Sequence, residues 1–167
     1  MRFQFDRFKN EDWDIEHIRS QTDNYPNKKE EKEKWFMDIQ TKTKKTVENI
    51  IDMKDDEFIQ FYQNMYEKFE GKDSDFNKHS IGNLALLDAT TNRSYGNAFF
   101  PIKRKTVIEN DMNGTFVPIC TKNVFMKYYT SNVKNVENWN KIDAEEYEKQ
   151  IIETLKVYIK NEVGTDE

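Results

Sequence analysis

The stretch that most constrains this chain is Leu84-Ala85-Leu86-Leu87, an uninterrupted apolar run that reads as a buried strand. It ends in the turn-prone Asp88-Ala89-Thr90-Thr91-Asn92, whose last residue offers an amide oxygen to a hard cation. Buried strand backbone needs a hydrogen-bonding partner, and Trp13-Asp14-Ile15-Glu16-His17-Ile18 is read as the other strand of a small hairpin. Alternation puts Asp14 and Glu16 on one face and turns His17 to the other. Glu16 and His17 can then serve one site only near a strand end or a twist, one holding a metal and the other a water.

The rest of the chain is mainly helical in pattern. Residues 28–69 open with a run of alternating charge, Lys28 to Lys34, suited to a solvated helix start. Val47, Ile50 and Ile51 form a short apolar stripe. Phe58, Phe61, Tyr62, Met65 and Phe69 then follow the i, i+3, i+4, i+7 rule, which predicts a core-facing helix that anchors the domain. Glu70 to Asp75 is a polar connector; its Asp73-Ser74-Asp75 element lacks the spacing and closing Glu of a calcium loop. His79 precedes the second strand and reads as structural. A helix should begin at Pro101 and stop at Asn113-Gly114. Another is expected over Thr121–Tyr129, and a last one from an Asp143 cap to about Lys160, with Tyr147, Ile151, Leu155 and Tyr158 on one face. Residues Arg2 to Phe8 alternate loosely and read as an extended segment, and Gln21 to Asn27 as a loop. The expected class is α+β, a single helix-rich domain over residues 1–167 around a small hairpin.

Composition narrows the function classes. Charged residues make up 34% and hydrophobic ones 36% of 167 residues, with 14% aromatic, enough ring surface to drive burial and argue against disorder. No apolar run reaches the roughly 18 residues of a membrane span and no signal-peptide pattern opens the chain, so a cytoplasmic protein is expected. The lone Cys120 excludes an internal disulfide and a multi-cysteine zinc site. The net charge of −5 runs against nucleic-acid binding. The segment from His79 to Asn132 is the reverse: Arg93, Lys103, Arg104, Lys105, Lys122 and Lys127 outnumber Asp88, Glu109 and Asp111.

The ordered set Asp14-x-Glu16-His17-Ile18, Gly82-Asn83-Leu84-x-Leu86-Leu87, Asn92-Arg93-Ser94-x-Gly96-Asn97 and Lys103-Arg104-Lys105 resembles an HNH-type (ββα-metal) nuclease domain. It is most similar to the C-terminal nuclease domain of GmrSD-type modification-dependent restriction enzymes. Asn83 and Asn92 stand nine positions apart, matching the second strand and following helix of that motif. The approach Arg2 to Asp6 and the later Cys120 to Phe125 also resemble the family, so the likeness covers most of the chain.

The resemblance implies a ββα-metal core and hydrolysis of DNA phosphodiester bonds. His17 would be the general base: an imidazole with pKa near ~6.5 is largely neutral at physiological pH. Glu16 and Asn92 would offer oxygens to Mg²⁺ or Mn²⁺, with Asp14 on the same strand face as the competitor of Glu16. Asn83 is implied to brace the loop presenting His17, and Lys103 and Arg104 to meet the DNA backbone or the scissile phosphate. Two departures stand out: an Asn occupies the position of the final histidine of the name, as in the HNH domain of CRISPR effectors, and helices fill a strand-to-strand interval that is short in the compact motif. The Asn form favours a hard cation over zinc. The family further implies defence against foreign DNA, with recognition in an NTP-dependent domain or subunit; no Gly-rich phosphate loop occurs here, so a separated subunit or the C-terminal part of a longer protein is expected. The alternatives are a non-catalytic nucleic-acid- or partner-binding module on the same fold, or an RNase of the same lineage.

Overall fold

In a computed structural model, which describes residues 5–20, 25–40, 46–71, 75–95 and 98–159, the run at Leu84 finds its partner in a strand that ends at His17, 67 positions before Leu84. Strand β1 (Trp13–His17) pairs antiparallel with β2 (Leu84–Asp88) in a two-stranded sheet, with Asp14 opposite Leu87, Glu16 opposite Ala85 and His17 opposite Leu84. Asp14 and Glu16 therefore share the face of the buried Ala85 and Leu87, while Ile15 on the other face is exposed. A sheet this small has no independent stability, and helices cover its inner face. The class is α+β and helix-rich. Expectations that fall on Arg2–Gln4, Gln21–Asn24, Asp73, Gly96, Asn97 and Lys160 lie outside the described residues.

Before the sheet comes α1 (Phe5–Asn10), where an extended segment is expected from the alternation. Helical winding lets Phe8 stack on Trp13 at 5.0 Å and lets the Arg7 guanidinium donate to the Gly114 carbonyl at 2.9 Å, contacts that outweigh a weak strand pattern. The helical interval between the strands resolves into α2 (Lys29–Ile39), α3 (Val47–Ile51) and α4 (Asp55–Glu70). A Thr46–Asn49 capping box starts α3. The expected aromatic stripe of α4 is buried at Phe58, Tyr62, Met65 and Phe69, against Phe36, Ile39, Ile50 and Phe99. Trp35 meets the rings of Phe58, Phe61 and Phe99 edge-on.

After β2 the chain enters α5 (Ala89–Tyr95) directly, so the stretch expected as a turn is helical. The reason is local: the Asp88 carboxylate accepts the Thr91 N–H at 2.8 Å, satisfying a first-turn donor. Then follow α6 (Phe100–Met112), α7 (Ile119–Phe125) and α8 (Lys141–Lys156). Helix α6 ends as expected at Asn113, with Gly114 at φ +85°. The cap of α8 is Asn140 rather than Asp143, which sits three residues in as its reciprocal partner; of the expected face only Tyr147 and Ile151 are covered, Leu155 and Tyr158 being exposed.

A second core cluster joins the sheet to α6, α7 and α8 through Ile18, Leu87, Phe100, Val107, Phe125, Trp139 and Tyr147. Consecutive residues at the start of α6 feed both clusters: Phe99 enters the first, Phe100 the second, and Ile102 packs against each. A short 3-10 turn, Ile81–Asn83, leads into β2 and lies under α8. There Gly82 is obligatory, because a Cβ would stand 2.2 Å from the Ala144 carbonyl oxygen. Among the described residues no helix is long and apolar enough to cross a membrane.

Candidate active site

The register of the two strands sets the site. On the inner face, Asp14 looks toward α5, and Asn92 Nδ2 donates to Asp14 Oδ2 at 3.2 Å across 78 residues of sequence. The expected donor pair was Glu16 and Asn92; the pair held in contact is Asp14 and Asn92. The position of α5 is tied down at its first turn by the Asp88 cap and by Asn110 of α6, which donates to the Thr91 hydroxyl at 2.8 Å.

Glu16, next along the same face, is buried and paired with Lys103 of α6 at 2.5 Å. The same ammonium donates to the His17 carbonyl at 2.6 Å. Lys103 is only 2% exposed, which corrects the expectation that it meets a DNA backbone: it points inward and neutralises a carboxylate. Burial raises the Glu16 carboxyl above its ordinary value, with Lys103 pulling the other way. An unpaired buried carboxylate is costly, so the ion pair is what allows Glu16 to sit there charged.

His17 ends β1 half-buried on the opposite face. Burial lowers its pKa below 6.5, and the neighbouring charges of Lys103 and His79 push in the same direction. The imidazole is accordingly neutral near pH 7 and able to accept a proton. His79, expected to be structural, is exposed and lies edge-on to His17 with ring centroids 6.1 Å apart.

Asn83 is fully buried and grips the chain just beyond His17. Its Oδ1 accepts the Arg19 N–H at 2.8 Å, its Nδ2 donates to the Arg19 and Lys78 carbonyls at 3.1 and 2.9 Å, and its own carbonyl accepts the Ile18 N–H at 2.9 Å. These bonds tie the chain just beyond His17 to the turn that precedes β2. Arg104 is not gathered with these groups. One residue along α6 from Lys103, it lines a separate cavity of about 440 Å³ with Met37, Asp38, Ile102 and Glu137.

Sequence reasoning missed Glu70. Its carboxylate, at the end of α4, accepts the Ser20 N–H at 3.2 Å and the Phe100 N–H at 3.0 Å, and stands 3.9 Å from Arg19 Nε. Glu70 lies eight positions after Tyr62, near the buried stripe of its helix, and that spacing was the one signal that it faces inward.

Mg²⁺ prefers oxygen donors and keeps several waters, so a carboxylate and an amide suffice as protein ligands. Asp14 and Asn92 bring one of each together, the amide presenting its Nδ2–H to the carboxylate in the contact seen here. No cluster of three or more His, Cys, Asp or Glu side chains suited to a metal occurs among the described residues. Comparison with protein-family models, with curated proteins and with solved structures finds no match to this chain.

Proposed function

We propose that this chain is a metal-dependent endonuclease domain of the HNH (ββα-metal) type that hydrolyses DNA phosphodiester bonds. The observation that carries this reading is the Asp14–Asn92 contact, which brings a carboxylate and a side-chain amide together between β1 and the helix that follows β2, with His17 at the end of the same strand. His17 is the general base, its depressed pKa keeping it in the accepting form at neutral pH. Asn83 holds the backbone that leaves His17, and Lys103 holds the His17 carbonyl. Asp14 and Asn92 would hold Mg²⁺ or Mn²⁺, while Glu16 keeps Lys103 in place rather than serving as a ligand. The ion, when bound, supplies neutralisation of charge on the scissile phosphate and the leaving oxygen. Defence against foreign DNA, alongside an NTP-dependent recognition domain or subunit, is the setting this reading implies.

The test is plasmid nicking with Mg²⁺ or Mn²⁺, comparing the intact chain, an EDTA control and His17→Ala. A general base contributes roughly 10²–10⁴-fold, so the variant should lose nearly all cleavage. Cleavage that survives His17→Ala would put the site elsewhere. One observation favours a second reading, a binding module without activity: the Asp14 carboxylate already accepts a hydrogen bond from the Asn92 amide nitrogen. A folded chain that neither binds Mn²⁺ nor cleaves would establish that reading instead.

A further inference from the structure

Glu70 belongs to the helical interval between the strands, yet its carboxylate reaches segments on either side of the site. One oxygen takes the N–H of Ser20, three residues beyond His17. The other takes the N–H of Phe100, the first residue of α6. Helix α6 has no side-chain cap of its own and no acidic residue in its first turn. A helix N-terminus presents unsatisfied N–H groups and a partial positive charge; here the missing carboxylate comes from α4 instead of from the helix itself. That helix carries Lys103, which holds both the Glu16 carboxylate and the His17 carbonyl. Arg19 completes the junction: its Nε faces Glu70, its Nη2 donates to the Gly71 carbonyl at 3.2 Å, and its guanidinium lies 4.3 Å from the Phe76 ring centre.

From these contacts we propose that Glu70 is a positioning residue for the site, fixing through Ser20 and Phe100 both the chain that leaves His17 and the helix that presents Lys103. It touches no reacting group; it acts on His17 from either side. The helices between the strands are thereby part of the site's support. The catalytic consequence rests on the nuclease reading, while the placement of His17 does not.

The decisive experiment is NMR on the intact chain and on Glu70→Ala and Glu70→Gln, combined with cleavage kinetics. With only two histidines in the sequence, the cross-relaxation between the His17 and His79 rings is readily assigned and reports where His17 is presented. In Glu70→Ala that ring contact should weaken, and the Ser20 and Phe100 amides should exchange with solvent markedly faster. The α5 amides of Thr91 and Asn92 should be unmoved. Turnover should fall by up to the order of 10²-fold with KM little changed, as for a misplaced reacting group. Glu70→Gln keeps the shape and one carbonyl acceptor, so it should restore the ring contact and part of the turnover. A folded Glu70→Ala with the ring contact and Ser20 protection intact would overturn the proposal. Should the alanine variant fail to fold, Glu70→Gln decides: its single carbonyl oxygen can keep only one of the two bonds, so either the Ser20 or the Phe100 amide should exchange faster, and both unchanged would overturn the proposal. Absence of cleavage by the unaltered chain would remove the nuclease reading, and the NMR result would still decide the role of Glu70.

Discussion

Lys103 Nζ sits 2.5 Å from the Glu16 carboxylate, with both side chains withdrawn from solvent and their positions 87 residues apart in sequence. The pair joins α6 to β1 immediately before His17, and the stability and the chemistry of the site both depend on it.

Removing one partner of a buried ion pair leaves an uncompensated charge, at a cost of roughly 3–5 kcal/mol. Lys103→Met should therefore lower the urea midpoint sharply. Lys103→Met combined with Glu16→Leu should recover much of the loss, because an apolar pair leaves no orphaned charge. Two single losses that simply add in the double variant would show that the residues are not coupled.

Asp14 and Asn92, rather than Glu16, should govern divalent-metal affinity. Titration with Mn²⁺ followed by paramagnetic resonance should show binding nearly lost in Asp14→Ala and Asn92→Ala. A Glu16→Gln variant should bind with at most about a 10–100-fold loss, the range for a group that orients ligands without being one. Binding lost in Glu16→Gln and kept in Asp14→Ala would restore Glu16 as the ligand.

The lowered His17 pKa sets the acid limb of activity. A base works only when deprotonated, so kcat/KM should rise with pH and reach half of its plateau below pH 6.5. A pH–rate profile from pH 5 to 8 measures this directly, and a midpoint above 6.5 would mean that burial and the charges of Lys103 and His79 do not act on His17 as described.

Glu70 should leave its own mark on stability. Burial pushes its carboxyl up to about 7, against Lys103, Arg19 and the two N–H donors. A carboxyl with a raised pKa binds its proton more tightly in the folded chain. Its contribution is then fully present below the unfolded value near 4.5 and lost as pH rises through 7. Relative to Glu70→Gln, the unaltered chain should lose on the order of 3 kcal/mol between pH 5 and pH 8 in chemical denaturation. A constant difference across that range would place the Glu70 pKa at its ordinary value.

Gly82→Ala should be strongly destabilising, because the new methyl would meet the Ala144 carbonyl of α8 at 2.2 Å. Backbone must shift to relieve it, and overpacking of this kind costs typically 1–3 kcal/mol. The shift would also displace Asn83, so the melting temperature and the exchange protection of the Arg19 amide should fall together.

The sequence by itself determined the α+β class, the strand at Leu84–Leu87 (buried at Ala85 and Leu87 and only half-buried at Leu84 and Leu86), the aromatic face of α4, the stop of α6 at Asn113-Gly114 and the shared face of Asp14 and Glu16. Each follows from a local rule, a period of 2 or 3.6 or a cap residue, that operates within one element. The inward turn of Lys103 was partly legible in the same way, since it falls three residues after Phe100 and four before Val107 on the buried side of α6. Its charge masked the signal: a lysine among other cations reads as a solvated face. Only tertiary structure decided the partners. Asn92 meets Asp14, Lys103 meets Glu16 and Glu70 meets Ser20 and Phe100 across 30 to 87 residues of chain. Periodicity fixes which way a side chain points from its own helix or strand. What stands opposite is fixed by how the elements pack, and here a buried carboxylate or ammonium is tolerated only where that packing delivers its counter-charge.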